Sequence, residues 1–295
     1  MYELKQVGER TYYIDSPTRM GIYQLDNGEV CLIDSGNDKD AGKKVQNILR
    51  ENNWKLNRII NTHSHADHIG GNRLLQEREG CKIYCRGVDR ALVEHPILEP
   101  AFLYGSYPNH EIQNKFLLAK ESRVEELIQE VLPEGLEMVD LNGHSFSMVG
   151  IKTKDDVWFL GDSVASHDTI QKHHITFLYN VEEYFHSLDV VEKLEGKLFI
   201  PSHMDPVEDI KPYVQENREK MQEIIEEILN YAKTPCTFEV LLQHMFIHYG
   251  LHMNFTQYVL IGSTLKAYLS YLYEQEKLEA IFENSQLLWK TKKEG

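Results

Sequence analysis

Apolar and polar positions alternate over the first 35 residues, the pattern of half-buried strands. Thr11-Tyr12-Tyr13-Ile14-Asp15 and Met20-Gly21-Ile22-Tyr23-Gln24-Leu25 read as two strands. Asp26-Asn27-Gly28-Glu29 supplies a hairpin turn into a third, Val30-Cys31-Leu32-Ile33-Asp34. From Lys39 to Asn52 the period lengthens to that of a helix, with Val45, Ile48 and Leu49 as its apolar stripe. Arg58-Ile59-Ile60-Asn61 predicts a short strand, Gly70–Glu79 a helix, and Cys81-Lys82-Ile83-Tyr84-Cys85 another strand. A spacing of four in that strand turns both thiols to one face as small buried residues. Strand, helix and strand in repetition over residues 1–90 predict a layered α/β fold.

Residues 91–130 are rich in helix formers, broken at Pro96, Pro100 and Pro108. Within them Glu121–Val131 predicts a helix whose Glu125, Glu126 and Glu130 form a solvated face. Strands return at Glu137–Leu141, Met148–Ile151 and Val157–Leu160, and Gly161-Asp162-Ser163 ends the last of them. A mostly helical stretch runs to Glu195, followed by the strand Leu198-Phe199-Ile200. Beyond Asp209 the character changes to three helices, Tyr213–Ala232, Phe238–Tyr249 and Phe255–Glu276. A strand pair, Leu278–Phe282 and Gln286–Lys290, closes the chain. That order is the order of a winged helix, so the expected division is a catalytic domain over residues 1–209 and a small winged-helix-like domain over residues 210–295.

Charge narrows the range of partners. The 295 residues carry 46 acidic against 31 basic side chains, a net charge of −15, which is the wrong sign for a protein that holds phosphates for its living. Residues 210–295 contain nine Lys and Arg against eleven Asp and Glu, and the expected recognition helix, roughly Phe255–Leu278, has only Lys266 and Lys277 as basic residues. This segment is expected to pack, to dimerise the chain or to cover a pocket rather than to read nucleic acid. No apolar run approaches the ~20 residues of a membrane span, and the N-terminus lacks a basic region followed by an apolar stretch. Cys31, Cys81, Cys85 and Cys236 are too few for a disulfide framework, so a cytoplasmic setting is expected.

Histidine is plentiful, with 14 in the chain, and its placement carries the chemistry. Thr62-His63-Ser64-His65-Ala66-Asp67-His68-Ile69-Gly70-Gly71 puts four potential metal ligands within six residues, just after a strand and just before a helix. Imidazole and carboxylate hold zinc, iron or manganese, and a turn can fan such side chains toward two neighbouring points. Three further candidates each follow a strand: His144 in Asn142-Gly143-His144-Ser145, Asp162 in Leu160-Gly161-Asp162-Ser163, and His203 in Pro201-Ser202-His203-Met204. Glycine beside His144 and Asp162 suggests tight backbone at both.

In this order the motif resembles that of the metallo-β-lactamase superfamily over residues 1–209. The resemblance implies an αββα sandwich with its ligands on loops at one edge of two packed sheets. It implies that His63, His65 and His144 hold one metal, that Asp67, His68 and His203 hold a second, and that Asp162 bridges both. The family often continues its third histidine with Ser-Pro-Gly-Ser, whereas Ser145-Phe146-Ser147-Met148 stands here, so the adjoining loop is expected to differ.

Two divalent ions, most simply zinc with iron or manganese as alternatives, would turn a bridging water into hydroxide near neutral pH for attack on a carbonyl or phosphorus. Asp67 is the ligand placed for a secondary proton-handling role. His173 and Tyr179 are candidates for a substrate wall or an oxyanion donor, while Tyr184 and Phe185 read as helix core. The expected function is hydrolysis of a small ester, thioester or lactone, the motif being similar to those of glyoxalase II and the lactonases. A glutathione-contacting tail is not recognisable after Asp209. Two alternatives share the scaffold: an endoribonuclease or phosphodiesterase, as in a subgroup with an appended winged helix, and an iron-dependent redox enzyme. Flavodiiron relatives have glutamate where His65 stands, and a complete ligand set argues against a non-catalytic binding protein.

Overall fold

In the computed structural model, which describes residues 2–293, one sheet has the strand order β1 (Glu3–Gln6), β2 (Thr11–Asp15), β3 (Met20–Gln24), β4 (Glu29–Ile33), β5 (Lys55–Ile60), β6 (Lys82–Cys85) and β7 (Glu125–Glu126). β1 to β4 pair antiparallel, and β4 to β7 pair parallel. Parallel neighbours need a crossover. Accordingly α1 (Lys39–Glu51) joins β4 to β5, while α2 (Ala66–Ile69) and α3 (Asn72–Glu79) join β5 to β6. α4 (Gly87–Glu94) and α5 (Leu98–Tyr104) lead toward β7. The second sheet has the order β11 (Leu198–Pro201), β10 (Val157–Gly161), β9 (Val149–Thr153) and β8 (Leu136–Asp140). Its one parallel pair, β10 with β11, encloses α6 (His167–His173) and α7 (Val181–Lys193).

Alternation along the strands sorts side chains into layers. Cys31 and Ile33 of β4 meet Val157 and Phe159 of β10 between the two sheets. Val30 and Leu32 face the opposite way, onto Val45, Ile48 and Leu49 of α1, with Cys81 and Cys85 in the same cluster as the strand spacing predicts. Trp158 and Leu160 turn outward from the second sheet onto Leu188 and Val191 of α7. The result is helices, sheet, sheet and helices, the sandwich expected.

The C-terminal region continues the outer helical layer. α8 (Lys211–Tyr231), α9 (Phe238–His248) and α10 (Phe255–Glu274) precede a hairpin of β12 (Leu278–Glu283) and β13 (Gln286–Thr291). Thr237 and Asn254 cap α9 and α10 by accepting from Val240 N and Gln257 N. Ile224, Ile228, Leu265, Leu269 and Leu278 lie in the same buried cluster as Trp158, Leu160 and Leu188, so one apolar core runs from the second sheet into the last helices.

One expected helix is not formed. Glu125 and Glu126 pair with Tyr84 and Cys85 as the edge strand β7, with only a short 3₁₀ turn at Gln129–Val131. Val124 and Leu127, three apart and suggestive of a helical stripe, instead enter different cores on opposite faces of the sheet. Pairing to an open sheet edge outweighs local propensity here. β1 also escaped the sequence reading, because its residues are only partly covered.

Candidate metal centre and adjoining cavity

Each candidate ligand sits where a strand stops and its backbone turns. β5 ends at Ile60, and Thr62 to His68 follow at once, with α2 beginning inside the motif. Gly143, just before His144, has φ +112°, and a Cβ there would lie 2.3 Å from the backbone nitrogen of Tyr184. Gly161, just before Asp162, has φ +53° with Thr62 Oγ1 3.0 Å from a Cβ built on it. Gly143 thus admits no side chain, and Gly161 leaves room for one only if Thr62 gives way, which accounts for glycine beside both candidate ligands.

The structure brings all seven candidates together in two sets. Ligand atoms of His63, His65, His144 and Asp162 lie within 4.8 Å of one another, and so do those of Asp67, His68 and His203. Asp162 touches both sets, with Oδ2 3.5 Å from His144 Nε2 and 3.3 Å from His203 Nε2, and Oδ1 3.2 Å from His68 Nε2.

Four of the rings are oriented by a hydrogen bond from the outward nitrogen. His68 Nδ1 donates to Asp34 Oδ2 at 2.8 Å, His144 Nδ1 to the Phe177 carbonyl at 3.1 Å, and His203 Nδ1 to the Pro17 carbonyl at 3.1 Å. Thr62 Oγ1 gives its own proton to Asp34 Oδ2, so His63 Nδ1 donates to Thr62 Oγ1 at 3.0 Å. Every inward nitrogen of these four is thereby left for the centre, the arrangement of metal-ligating histidine.

The donor set fits cations. His65 Nδ1 is 3.0 Å from His63 Nε2 and 2.9 Å from His144 Nε2, and a single proton on it cannot serve both neighbours. Buried His68 Nε2 and Asp162 Oδ1 have no partner with hydrogen-bond geometry. Burial, reinforced by the neighbouring imidazoles, lowers His65 to about 4 and His144 to about 3, and lowers His63 as well, so these rings are neutral lone-pair donors. Burial acts the same way on His203, but Asp162 and Asp67 raise it to about 10, and the same carboxylates raise His68. Protons on these two rings occupy the positive role that the carboxylates demand. Against their own burial, Asp162 and Asp67 are held well below the usual carboxylate range by His203 and His68.

Two further aspartates build the scaffold. Asp34, at the end of β4, accepts from the Thr62 N–H and hydroxyl and from His68. Asp89 of α4 accepts from the Ser64 N–H and hydroxyl, the Ser145 hydroxyl and the Ser147 N–H, fastening the first histidine turn to the loop after His144. Burial pushes its carboxyl up against these hydrogen bonds. The departure at Ser145-Phe146-Ser147 is thus a loop pinned through its serines.

A cavity of about 330 Å³ opens from this centre. His144, Asp162 and His203 form one end, and Val164, Ile175, Phe177 and Tyr184 continue its wall. Gln257, Leu260 and Ile261 of α10 complete it. His173 lies at its rim. Tyr179 is placed differently from the sequence expectation: its ring packs against Phe146 and Phe102 and does not line this cavity, while its N–H donates to the Gly143 carbonyl at 2.9 Å. Tyr184 is buried, as expected of helix core, and serves as wall at the same time.

The chain belongs to the metallo-beta-lactamase superfamily, whose family profile matches residues 15–203. A hydroxyacylglutathione hydrolase from Methylococcus capsulatus is 28% identical over 128 residues, 43% of this chain and 41% of that protein. An atrochrysone carboxyl ACP thioesterase from Aspergillus fumigatus is 24% identical over 207 residues, 68% of this chain and 55% of that protein. Matches span a fifth to about half the length of such curated relatives. A beta-lactamase domain protein from Burkholderia ambifaria superposes with a TM-score of 0.77 at 16% identity, covering 98% of this chain and 94% of its own, and so shares the fold through the C-terminal helices.

Proposed function

We propose that the protein is a dinuclear metal-dependent hydrolase of a small ester, thioester or lactone. The observation that carries this reading is the convergence of two candidate ligand sets on the shared Asp162 at one end of a largely apolar cavity. His63, His65 and His144 would hold one ion, Asp67, His68 and His203 the other, and Asp162 both, with zinc suited to so many imidazoles. Bound there, the ions supply an acidified water and positive charge for the oxyanion of the substrate carbonyl. Asp67 handles a proton at Oδ2, which already faces Thr18 Oγ1 at 3.2 Å and His203 Nε2 at 3.1 Å. His173 is the candidate donor at the rim. Residues 210–295, with three helices and a hairpin, form the winged-helix-like part, and the four buried thiols suit a reducing compartment. The Aspergillus relative is named as a carboxyl ACP thioesterase and the Methylococcus relative as a hydroxyacylglutathione hydrolase, which supports the acyl chemistry.

Zinc loading followed by metal analysis should give two ions per chain. Asp162→Ala should weaken at least one of them and cut turnover of simple thioesters, esters or lactones by more than about 100-fold. A saturating stoichiometry of one, unchanged in His203→Ala, would remove the dinuclear assignment, and undiminished turnover in Asp162→Ala would remove the bridge.

A further inference from the structure

The cavity has a chemical bias that narrows the substrate, and this inference rests on the hydrolase reading above. Apart from His144, Asp162 and His203 at its metal end, the only ionisable side chains on its wall among the described residues are His173 and the buried phenol of Tyr184. Among the described residues, none that lines it is a lysine or an arginine. A glutathione conjugate brings two carboxylates and an ammonium group, and a nucleic acid brings a phosphate per nucleotide. Neither finds a cationic partner on this wall. Beyond the metal end the surface is instead mainly aliphatic and aromatic, from Val164, Ile175 and Phe177 to Leu260 and Ile261, with Thr169, Thr176 and Gln257 as its uncharged polar groups.

The far side of the wall is held firmly in place. Thr264 of α10 is fully buried, and its Oγ1 accepts from the Leu178 N–H at 3.1 Å and donates to the Leu260 carbonyl at 3.0 Å. Leu178 follows Phe177, whose carbonyl accepts from His144 Nδ1. A short covalent and hydrogen-bonded path therefore joins a metal ligand to the helix turn that carries Leu260 and Ile261.

We infer that this cavity is an acyl slot for uncharged, apolar chains, with Leu260 and Ile261 of α10 setting how long a chain it accepts. Each methylene buried against such a wall strengthens binding about fourfold. That gain should continue until the 330 Å³ is filled, and longer chains should then gain nothing or lose.

The test uses the full-length zinc-loaded protein and two ladders of probes: straight-chain acyl thioesters of N-acetylcysteamine, read by kcat/KM, and straight-chain alcohols, read by calorimetric binding. The expected result is a rise of about fourfold per methylene in both ladders up to a sharp optimum. Leu260→Trp should move that optimum to shorter chains and Leu260→Ala to longer ones, while Leu260→Met should leave it in place. Lactoylglutathione should be a poorer substrate than the uncharged thioester of the same acyl group. A flat ladder, a preference for the glutathione conjugate, or variants that scale every chain length equally would overturn the slot. Should no thioester, ester or lactone turn over while the alcohol ladder and its Leu260 shifts persist, the hydrolase reading fails and the slot stands as a binding site.

Discussion

One wall of the cavity is made of imidazole and carboxylate, the other of aliphatic carbon, and the two are secured by opposite means. On the metal side four of the five imidazoles are fixed individually, each through a hydrogen bond it donates to Asp34, Phe177, Pro17 or Thr62. On the helical side α10 has the Asn254 cap, the contacts of Thr256 and Tyr258 with Asn114 and Glu239, and the Thr264 bond, but the wall itself is positioned mainly by the apolar core that α10 shares with α7 and α8. Directional bonds place reacting groups to within tenths of an ångström, whereas packing sets a volume. The contrast suits a site in which chemistry must be invariant and chain length can be adjusted.

The sharpest way to break that comparison is to remove the second wall. A chain ending at residue 209 would expose the face of α7 that now meets α8 and α10 within the shared apolar core. The loss of Ile224, Ile228, Leu265 and Leu269 alone forfeits about 1.5–3 kcal/mol each. Such a fragment should aggregate or melt far below the intact protein in a thermal scan. If it stayed soluble, folded and zinc-binding, the two walls would belong to independent domains.

A smaller effect is expected from Asp89→Ala, which strands the donors of Ser64, Ser145 and Ser147. About 3 kcal/mol of stability should go in urea unfolding, together with a 10–100-fold drop in zinc affinity, and the optimum of the acyl ladder should not move. A shifted optimum would show that the metal-side loops also set chain length.

The smallest effect lies behind the metal side, where Asp38 caps α1 by accepting from Asp40 N and Ala41 N and pairs with Lys115 Nζ at 3.1 Å. Burial opposes its charge, yet the bonds from Ala41, Lys115 and Asp40 hold the carboxyl below its ordinary value. A lowered carboxylate stabilises the fold fully above the unfolded pKa, and that contribution is lost as pH falls through the folded one. Asp38→Ala should therefore cost about 1 kcal/mol at neutral pH, and the gap from wild type should close as the pH falls below about 4. A constant gap down to pH 2 would assign the cost to something other than the ionised cap.

These two walls were also unequally legible in the sequence. The candidate metal ligands declare themselves because four fall within six residues and the others each end a strand, so local spacing reports the cluster. Asp34 and Asp89 gave no such signal: the partners of Asp34 are 28 and 34 residues away, and those of Asp89 are 25 to 58 away. A strand ending in Asp-Ser-Gly, with Asp34 at φ +59°, was the available hint. Leu260 and Ile261 read correctly as helix, but an aliphatic residue that faces a cavity has the same pattern as one that faces a core. Residues Glu121–Val131 misled for a related reason, since three-residue spacing also suits two apolar residues on opposite faces of an edge strand.

The covalent order of the two walls bears on how the protein matures. Ribosomes release the chain from its N-terminus, so every ligand through His203 emerges before α10, whose Leu260 lies 57 positions later. A nascent chain can gather its histidines while the face of α7 that meets α8 and α10 is still wet, and the slot comes into being only when the final helices dock. Competence to bind metal thus precedes competence to select a substrate, and the interval between them is when the exposed aliphatic surface is most open to aggregation.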